Sequence, residues 1–199
     1  MKILYLHGIG SGAESNTACQ LIEYFKNTDV QVIAPELPVK PKDAFDYIQT
    51  IQKQEKPNIV IGTSLGGLYA RFLHGPIKIL VNPVLNAEDI IKAVGYGTHN
   101  FVTTRTDNSL AYEIDNVFVS QLSELITEQS EFVDDEIENE TYGLFGTQDN
   151  VVSNYNAYVT LYGGQQLYQI SAEHRLSNKN IQEELIPLVN YLRSKYEIN

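Results

Sequence analysis

The chain has 199 residues, 43% apolar and 20% charged, which is the composition of an ordinary folded domain and excludes a disordered or fibrous chain. A formal net charge of −11 excludes the clustered lysine and arginine that a nucleic-acid backbone demands, and a single cysteine, Cys19, excludes an internal disulfide framework or a multi-cysteine zinc site. No apolar run approaches the ~20 residues that span a bilayer. The opening Met1–Gly8 is too short and lacks the cleavage site of a secretory signal, so a cytoplasmic protein without membrane insertion is expected.

In chain order, Lys2–Leu6 reads as a first strand followed at once by glycines. Residues 15–26 read as a helix with Ala18, Leu21, Ile22 and Phe25 on one face, and Cys19 reads as a small core residue on that stripe. Val30–Ala34 is a second strand closed by Pro35 and Pro38, and 42–55 is a helix with Ala44, Tyr47, Ile48 and Ile51 inward. Asn58–Thr63 is a third strand, and the helix after it runs from Leu65 to about His74, where Gly75-Pro76 stops it. Ile77–Val81, Tyr142–Gly146 and Gln166–Ile170 are the fourth, fifth and sixth strands. Residues 180–196 form a last helix, with Asn180 and Glu183 as a capping box and Pro187 kinking or restarting it.

Strands alternating with helices imply an α/β fold, a three-layer α/β/α sandwich with a mainly parallel sheet of about six strands. The length fits one domain over 1–199, with residues 84–140 as a cap-like insertion of helices and irregular structure over the carboxyl ends of the strands. Residues 106–174 carry 13 acids and no lysine or arginine, most densely over 128–140. Such a run is a solvated face, or a filter that disfavours polyanionic substrates if it flanks a site entrance.

Chemistry concentrates in four loops. Gly62-Thr63-Ser64-Leu65-Gly66 matches G-x-S-x-G between a strand and a helix, the setting that exposes a nucleophilic serine. The Leu65 N–H then lies free at a helix N-terminus, beside the dipole that favours an oxyanion. The His7-Gly8-Ile9-Gly10 loop supplies a second donor, the Ile9 N–H, while His7 itself reads as a structural hydrogen-bonding residue. A rival reading takes Gly8–Ala13 as a dinucleotide loop with Glu36 as its ribose-binding acid, but it leaves Ser64 without a role. Asp149 follows the fifth strand and His174 the sixth, while His74 lies at a helix end and His99 in the insertion. The order Ser64, Asp149, His174 is that of α/β-hydrolases, in which the imidazole takes the serine proton and the carboxylate orients the imidazole. No two histidines stand at metal-ligand spacing, so neither a metal nor a cofactor is expected.

The segments Leu4-Tyr5-Leu6-His7-Gly8, Pro35-Glu36-Leu37-Pro38, Gly62-Thr63-Ser64-Leu65-Gly66-Gly67-Leu68-Tyr69-Ala70 and Leu80-Val81-Asn82-Pro83 resemble the YqiA-like small esterases of the α/β-hydrolase superfamily. That resemblance implies a minimal α/β-hydrolase fold, Ser64, Asp149 and His174 as triad, and the Leu65 and Ile9 N–H groups as oxyanion hole. It implies a carboxylesterase or thioesterase for a small-molecule acyl ester with a short acyl chain. The chain departs from the family around the histidine, where Glu173 precedes and Arg175 follows. Arg175 reads as a solvated cation or as a contact for a substrate carboxylate. The other class of function is a catalytically silent binding protein that keeps the fold, since fold alone does not grant activity.

Overall fold

The computed structural model describes residues 1–132, 140–164 and 166–198. In chain order the elements begin with β1 Lys2–Leu6, α1 Asn16–Phe25, β2 Gln31–Ile33, α2 Pro41–Glu55, β3 Ile59–Thr63, α3 Leu65–Arg71, β4 Ile77–Val81 and α4 Ala87–Ala93. They continue with β5 Gly97–Asn100, β6 Ala111–Ile114, α5 Asn116–Ser130, β7 Thr141–Gly146, α6 Tyr155–Tyr162 and β8 Leu167–Ile170. The C-terminal helix starts as a short turn, α7 Asn178–Asn180, widens to π geometry over Ile181–Leu185 and ends as α8 Ile186–Lys195. Pro187 accounts for the widening, because its ring cannot donate to the carbonyl one turn back and clashes with it.

Six strands form one sheet in the order β2-β1-β3-β4-β7-β8, and every pairing in it is parallel. The side-chain alternation of a strand divides its residues between two cores. Leu4, Leu6, Val60 and Leu80 face a layer containing α2, α3 and α5, where Phe45, Leu68, Phe118 and Leu122 are buried. Ile3, Tyr5, Ile59, Ile61 and Ile79 face the opposite layer, where Ala18 and Leu21 of α1 meet Val189 and Leu192 of α8. Both faces are therefore covered, which is why the strands are continuous apolar runs and not alternating ones.

Several local expectations are corrected. Cys19 is exposed, its Sγ 3.6 Å from the Glu14 carbonyl. The buried stripe of α1 runs through Thr17, Ala18, Leu21 and Phe25, and Cys19 lies a 100° helical step beyond Ala18. Ile22 and Tyr47 also point outward. The helix α3 stops at Arg71, earlier than expected, its end tightening into three-residue hydrogen bonds from the Phe72 N–H to the Tyr69 carbonyl and from the Leu73 N–H to the Ala70 carbonyl. The capping box at the last helix is formed by Ser177 and Asn180, not by Asn180 and Glu183. Within 84–140, a two-stranded antiparallel hairpin of β5 and β6 stands between α4 and α5. Its strands are short and polar, Gly97-Thr98-His99-Asn100 and Ala111-Tyr112-Glu113-Ile114, and so carry no strand-like apolar run. Residues 133–139, most of the acidic run at 128–140, lie outside the described residues.

Candidate active site

The sheet is built outward in both directions from β1 and β3, so the chain's winding reverses between them. In a doubly wound sheet, the crevice beyond the carboxyl ends of such a pair receives ligands. Ser64 stands there, directly after β3 and at the head of α3, with φ 53° and ψ −117°. A left-handed φ is uncommon and strained for a residue with a side chain, and it persists only where the surroundings hold it. The holding groups are visible: the Ser64 N–H donates to the Val81 carbonyl at 3.0 Å, and the Ser64 carbonyl accepts from Gly67 and Val84 at 3.0 and 3.1 Å. The two glycines of the motif are required by close approach. A Cβ at Gly62 would run into the Gly66 carbonyl, and one at Gly66 into the Leu6 carbonyl. From the neighbouring loop, Gly8 comes so near that a Cβ there would meet Ser64 Cβ at 3.0 Å.

Asp149 and His174 meet directly. His174 Nδ1 donates to Asp149 Oδ2 at 2.8 Å, while Asp149 Oδ1 accepts from the Val151 and Val152 N–H groups at 2.8 and 3.0 Å. Burial alone would raise the Asp149 carboxyl, but the His174 hydrogen bond, the two backbone donors and the imidazole charge outweigh it and bring it below its ordinary range. The loops bearing the pair are sewn together at their roots, Thr147 N–H to the Ile170 carbonyl and Gln148 N–H to the Ala172 carbonyl, both at 2.9 Å. Ser64 Oγ makes no hydrogen bond to His174 among the described residues, so the serine–imidazole contact is the one link of the three left open. Contacts of this kind are often long without substrate and tighten when it binds.

The residues of both expected oxyanion donors, Ile9 and Leu65, help to line one small cavity. Neither N–H donates to another main-chain or side-chain group among the described residues. His7 serves the fold: its Nε2 accepts from the Leu37 N–H at 3.0 Å and its Nδ1 lies 2.9 Å from the Gly8 carbonyl. Glu36 is occupied as well, taking Arg105 Nη1 at 2.9 Å and the Thr106 N–H at 3.0 Å. Its carboxylate also fills the space where a Cβ on Gly12 would point, so the loop after β1 is packed against it. Arg175 is exposed and has no ion-pair partner among the described residues.

Three groups at this site escape sequence reasoning. Asn82, buried and with φ 43°, follows β4 and spans both loops of the acid–imidazole pair. Its Nδ2 donates to the Glu173 and His174 carbonyls at 3.1 and 3.0 Å, and its Oδ1 accepts from the Gly146 N–H at 2.8 Å. Beyond its place in the Leu80-Val81-Asn82-Pro83 segment, its sequence signal is an asparagine, a residue tolerant of left-handed backbone, directly past a strand's carboxyl end. Arg105 comes from the loop joining β5 to β6 and is buried at the cavity. Tyr69, one turn beyond Leu65 on α3, also lines it. Nothing in the one-dimensional pattern brings Arg105 to this place.

The parallel sheet, its two helical layers and the strand–turn–helix at Ser64 define an α/β-hydrolase fold. The chain belongs to the YqiA-like family, whose model, described as "Uncharacterised protein family (UPF0227)", matches residues 2–192. Among solved structures it is similar to a monoacylglycerol lipase of Paleococcus ferrophilus, with 16% identity, a TM-score of 0.63, and coverage of 97% of this chain and 94% of that one. It is similar to mouse alpha/beta hydrolase domain-containing protein 10 (13% identity, TM-score 0.64, coverage 98% and 90%). It is also similar to the esterase domain of a Rhodothermus marinus protein (12% identity, TM-score 0.63, coverage 98% and 86%). At these identities the likeness is one of fold. No helix among the described residues is long and apolar enough to cross a membrane.

Proposed function

We propose that the chain is a serine hydrolase that cleaves short acyl esters or thioesters through Ser64, His174 and Asp149. The observation that carries this reading is the strained Ser64 backbone at the head of α3, on the same sheet edge as an imidazole already bonded to a buried carboxylate. Strain at a nucleophile elbow serves to lift the hydroxyl out of the sheet toward substrate. The esterase and lipase named among the similar structures fit this reading.

The reaction follows from the groups present. Ser64 Oγ attacks the substrate carbonyl carbon as its proton passes to His174 Nε2, and the carbonyl oxygen becomes an oxyanion received by the Leu65 and Ile9 N–H groups. Asp149 keeps Nδ1 protonated, so that Nε2 is the nitrogen free to accept, and stabilises the imidazolium. Collapse of the tetrahedral adduct breaks the bond to the leaving group, which takes the proton from His174 and departs. Water, deprotonated by the same imidazole, then splits the acyl-serine and regenerates the free hydroxyl.

The open gap between Ser64 and His174 favours one second reading, a binding protein that keeps the fold without turnover. A fluorophosphonate probe separates the two. Labelling at Ser64, with hydrolysis of p-nitrophenyl butyrate lost in Ser64→Ala by about 10⁴-fold or more, supports the hydrolase. No labelling and no turnover support the binding protein. The acidic run at 128–140 belongs to the same proposal. If it flanks the entrance, neutral esters are preferred over anionic ones at low salt and the preference fades at high salt.

A further inference from the structure

The cavity lined by Ile9 and Leu65 is small, which restricts it to a short acyl chain. Most of its wall is apolar, from Ile9, Leu37, Val39, Leu65 and Phe101. One cation reaches it, Arg105, and that cation is already satisfied. Its Nε and Nη2 bond to Asp107, its Nη1 to Glu36 and the Ser11 carbonyl, and its Nη2 also to the Leu37 carbonyl. A guanidinium has five N–H donors, and here all five have acceptors. No cation among the lining residues is left over to receive an anionic acyl group; the charge of the exposed Arg175 is felt at Tyr112 of the wall, but Arg175 is not itself a lining residue.

Tyr69 is the opposite case. It lines the same cavity, is 2% exposed, and its hydroxyl has no hydrogen-bond partner among the described residues. Leu65 and Tyr69 are four residues apart on α3 and share a face, so Tyr69 stands about 6 Å along the axis from the oxyanion donor. Burial pushes the phenol well above its ordinary range, so it remains a protonated donor at any working pH. A buried hydroxyl without an acceptor is costly, and an incoming ligand oxygen would remove that cost.

We propose that Tyr69 is a specificity-determining residue that selects short acyl groups carrying an uncharged acceptor oxygen, such as an ether or ketone, over plain alkyl acyl groups of the same length. This rests on the hydrolase reading above and adds to it the chemistry of the acyl chain. The oxygen of the acyl chain accepts from Tyr69 Oη while the scissile carbonyl lies against the Leu65 and Ile9 N–H groups. A saturated chain leaves the phenol unpaired, and a carboxylate finds no free cation in the cavity.

The test compares kcat/KM for p-nitrophenyl methoxyacetate against the butyrate, and for 3-methoxypropanoate against the pentanoate, in the wild type and in Tyr69→Phe. Dividing the wild-type ether-to-alkyl ratio by the variant's ratio cancels the intrinsic reactivity of each ester. A quotient above threefold in either pair supports the assignment, and quotients below threefold in both overturn it. Removing an unpaired hydroxyl leaves the melting temperature of Tyr69→Phe equal to or above the wild type's. A fall of more than about 5 °C means that the hydroxyl has a structural partner, and this also overturns the assignment. Wild-type labelling by a fluorophosphonate separates the two levels: a labelled, active enzyme with unchanged ratios loses only the role of Tyr69, whereas an unlabelled, inactive one loses the hydrolase reading and this inference together.

Discussion

Asn82 Nδ2 donates to the His174 carbonyl at 3.0 Å, so a side chain at the end of β4 holds the main chain of the imidazole that follows β8. Through Oδ1 the same amide fixes the Gly146 N–H, three residues before Asp149. Backbone hydrogen bonds continue the linkage toward the serine, since Val81, the neighbour of Asn82, accepts from the Ser64 N–H. One buried amide thus ties together the two loops of the acid–imidazole pair, and the backbone of the strand that precedes it ties in the serine loop.

Replacing Asn82 by glycine keeps the left-handed backbone available and removes all three side-chain hydrogen bonds. At about 1 kcal/mol each, the expected cost is about 2–4 kcal/mol in urea unfolding. We expect the rate of fluorophosphonate labelling at Ser64 to fall about tenfold or more at a temperature where the variant is fully folded. A labelling rate equal to the wild type's would show that Asn82 supports the fold without positioning the imidazole.

Gly62→Ala drives a methyl into the Gly66 carbonyl, and neither backbone can yield without unmaking the turn. A loss of about 3 kcal/mol or more is expected, against about 0.5 kcal/mol or less for Gly164→Ala, where a Cβ would meet nothing. Urea midpoints of the two variants measure the contrast directly.

Arg105 is buried, and its five donors join the loop after β1, the loop after β2 and the β5–β6 connection. A lysine offers three donors from one point and cannot reproduce that fork. Arg105→Lys should cost about 3 kcal/mol or more, because Glu36 keeps its burial and loses its partner. Pairing Arg105→Met with Glu36→Gln should recover part of the loss, as the stranded charge is removed with its partner. Chemical denaturation of Arg105→Met, of Glu36→Gln and of the double variant completes the cycle.

Acid should weaken the fold through Glu36 and Asp149. Burial works to raise both carboxyls, but in each case it is outweighed. Glu36 is brought down by the His7 ring, the Thr106 N–H and the Arg105 charge, and Asp149 by His174 and two backbone donors. A carboxyl lowered in the folded state contributes stability above its unfolded value of ~4 and loses it as pH falls through the lower folded value. The melting-temperature gap between wild type and Glu36→Gln should therefore be widest at pH 6–7 and close below about pH 4. A gap of constant width would exclude the linkage.

Much of this was readable from the chain alone because parallel strands buried on both faces must be continuous apolar runs. Ile77–Val81 is the clearest case, a strand whose bounds in the structure are those of its sequence pattern. The loops at Ser64, Asp149 and His174 were equally legible, since each residue lies within four positions of the carboxyl end of such a run, in the chain order of the proposed triad. The sequence by itself determined the alternation, the sheet and the candidate chemistry, because local periodicity and turn residues act over a few positions. Only the tertiary structure decided that Cys19 faces solvent, that a polar hairpin follows α4, that Arg105 pairs with Glu36, and that the Tyr69 hydroxyl has no partner among the described residues. Each of these depends on which distant groups meet, Arg105 and Glu36 being separated by 69 positions in the chain, and no local pattern records such a meeting.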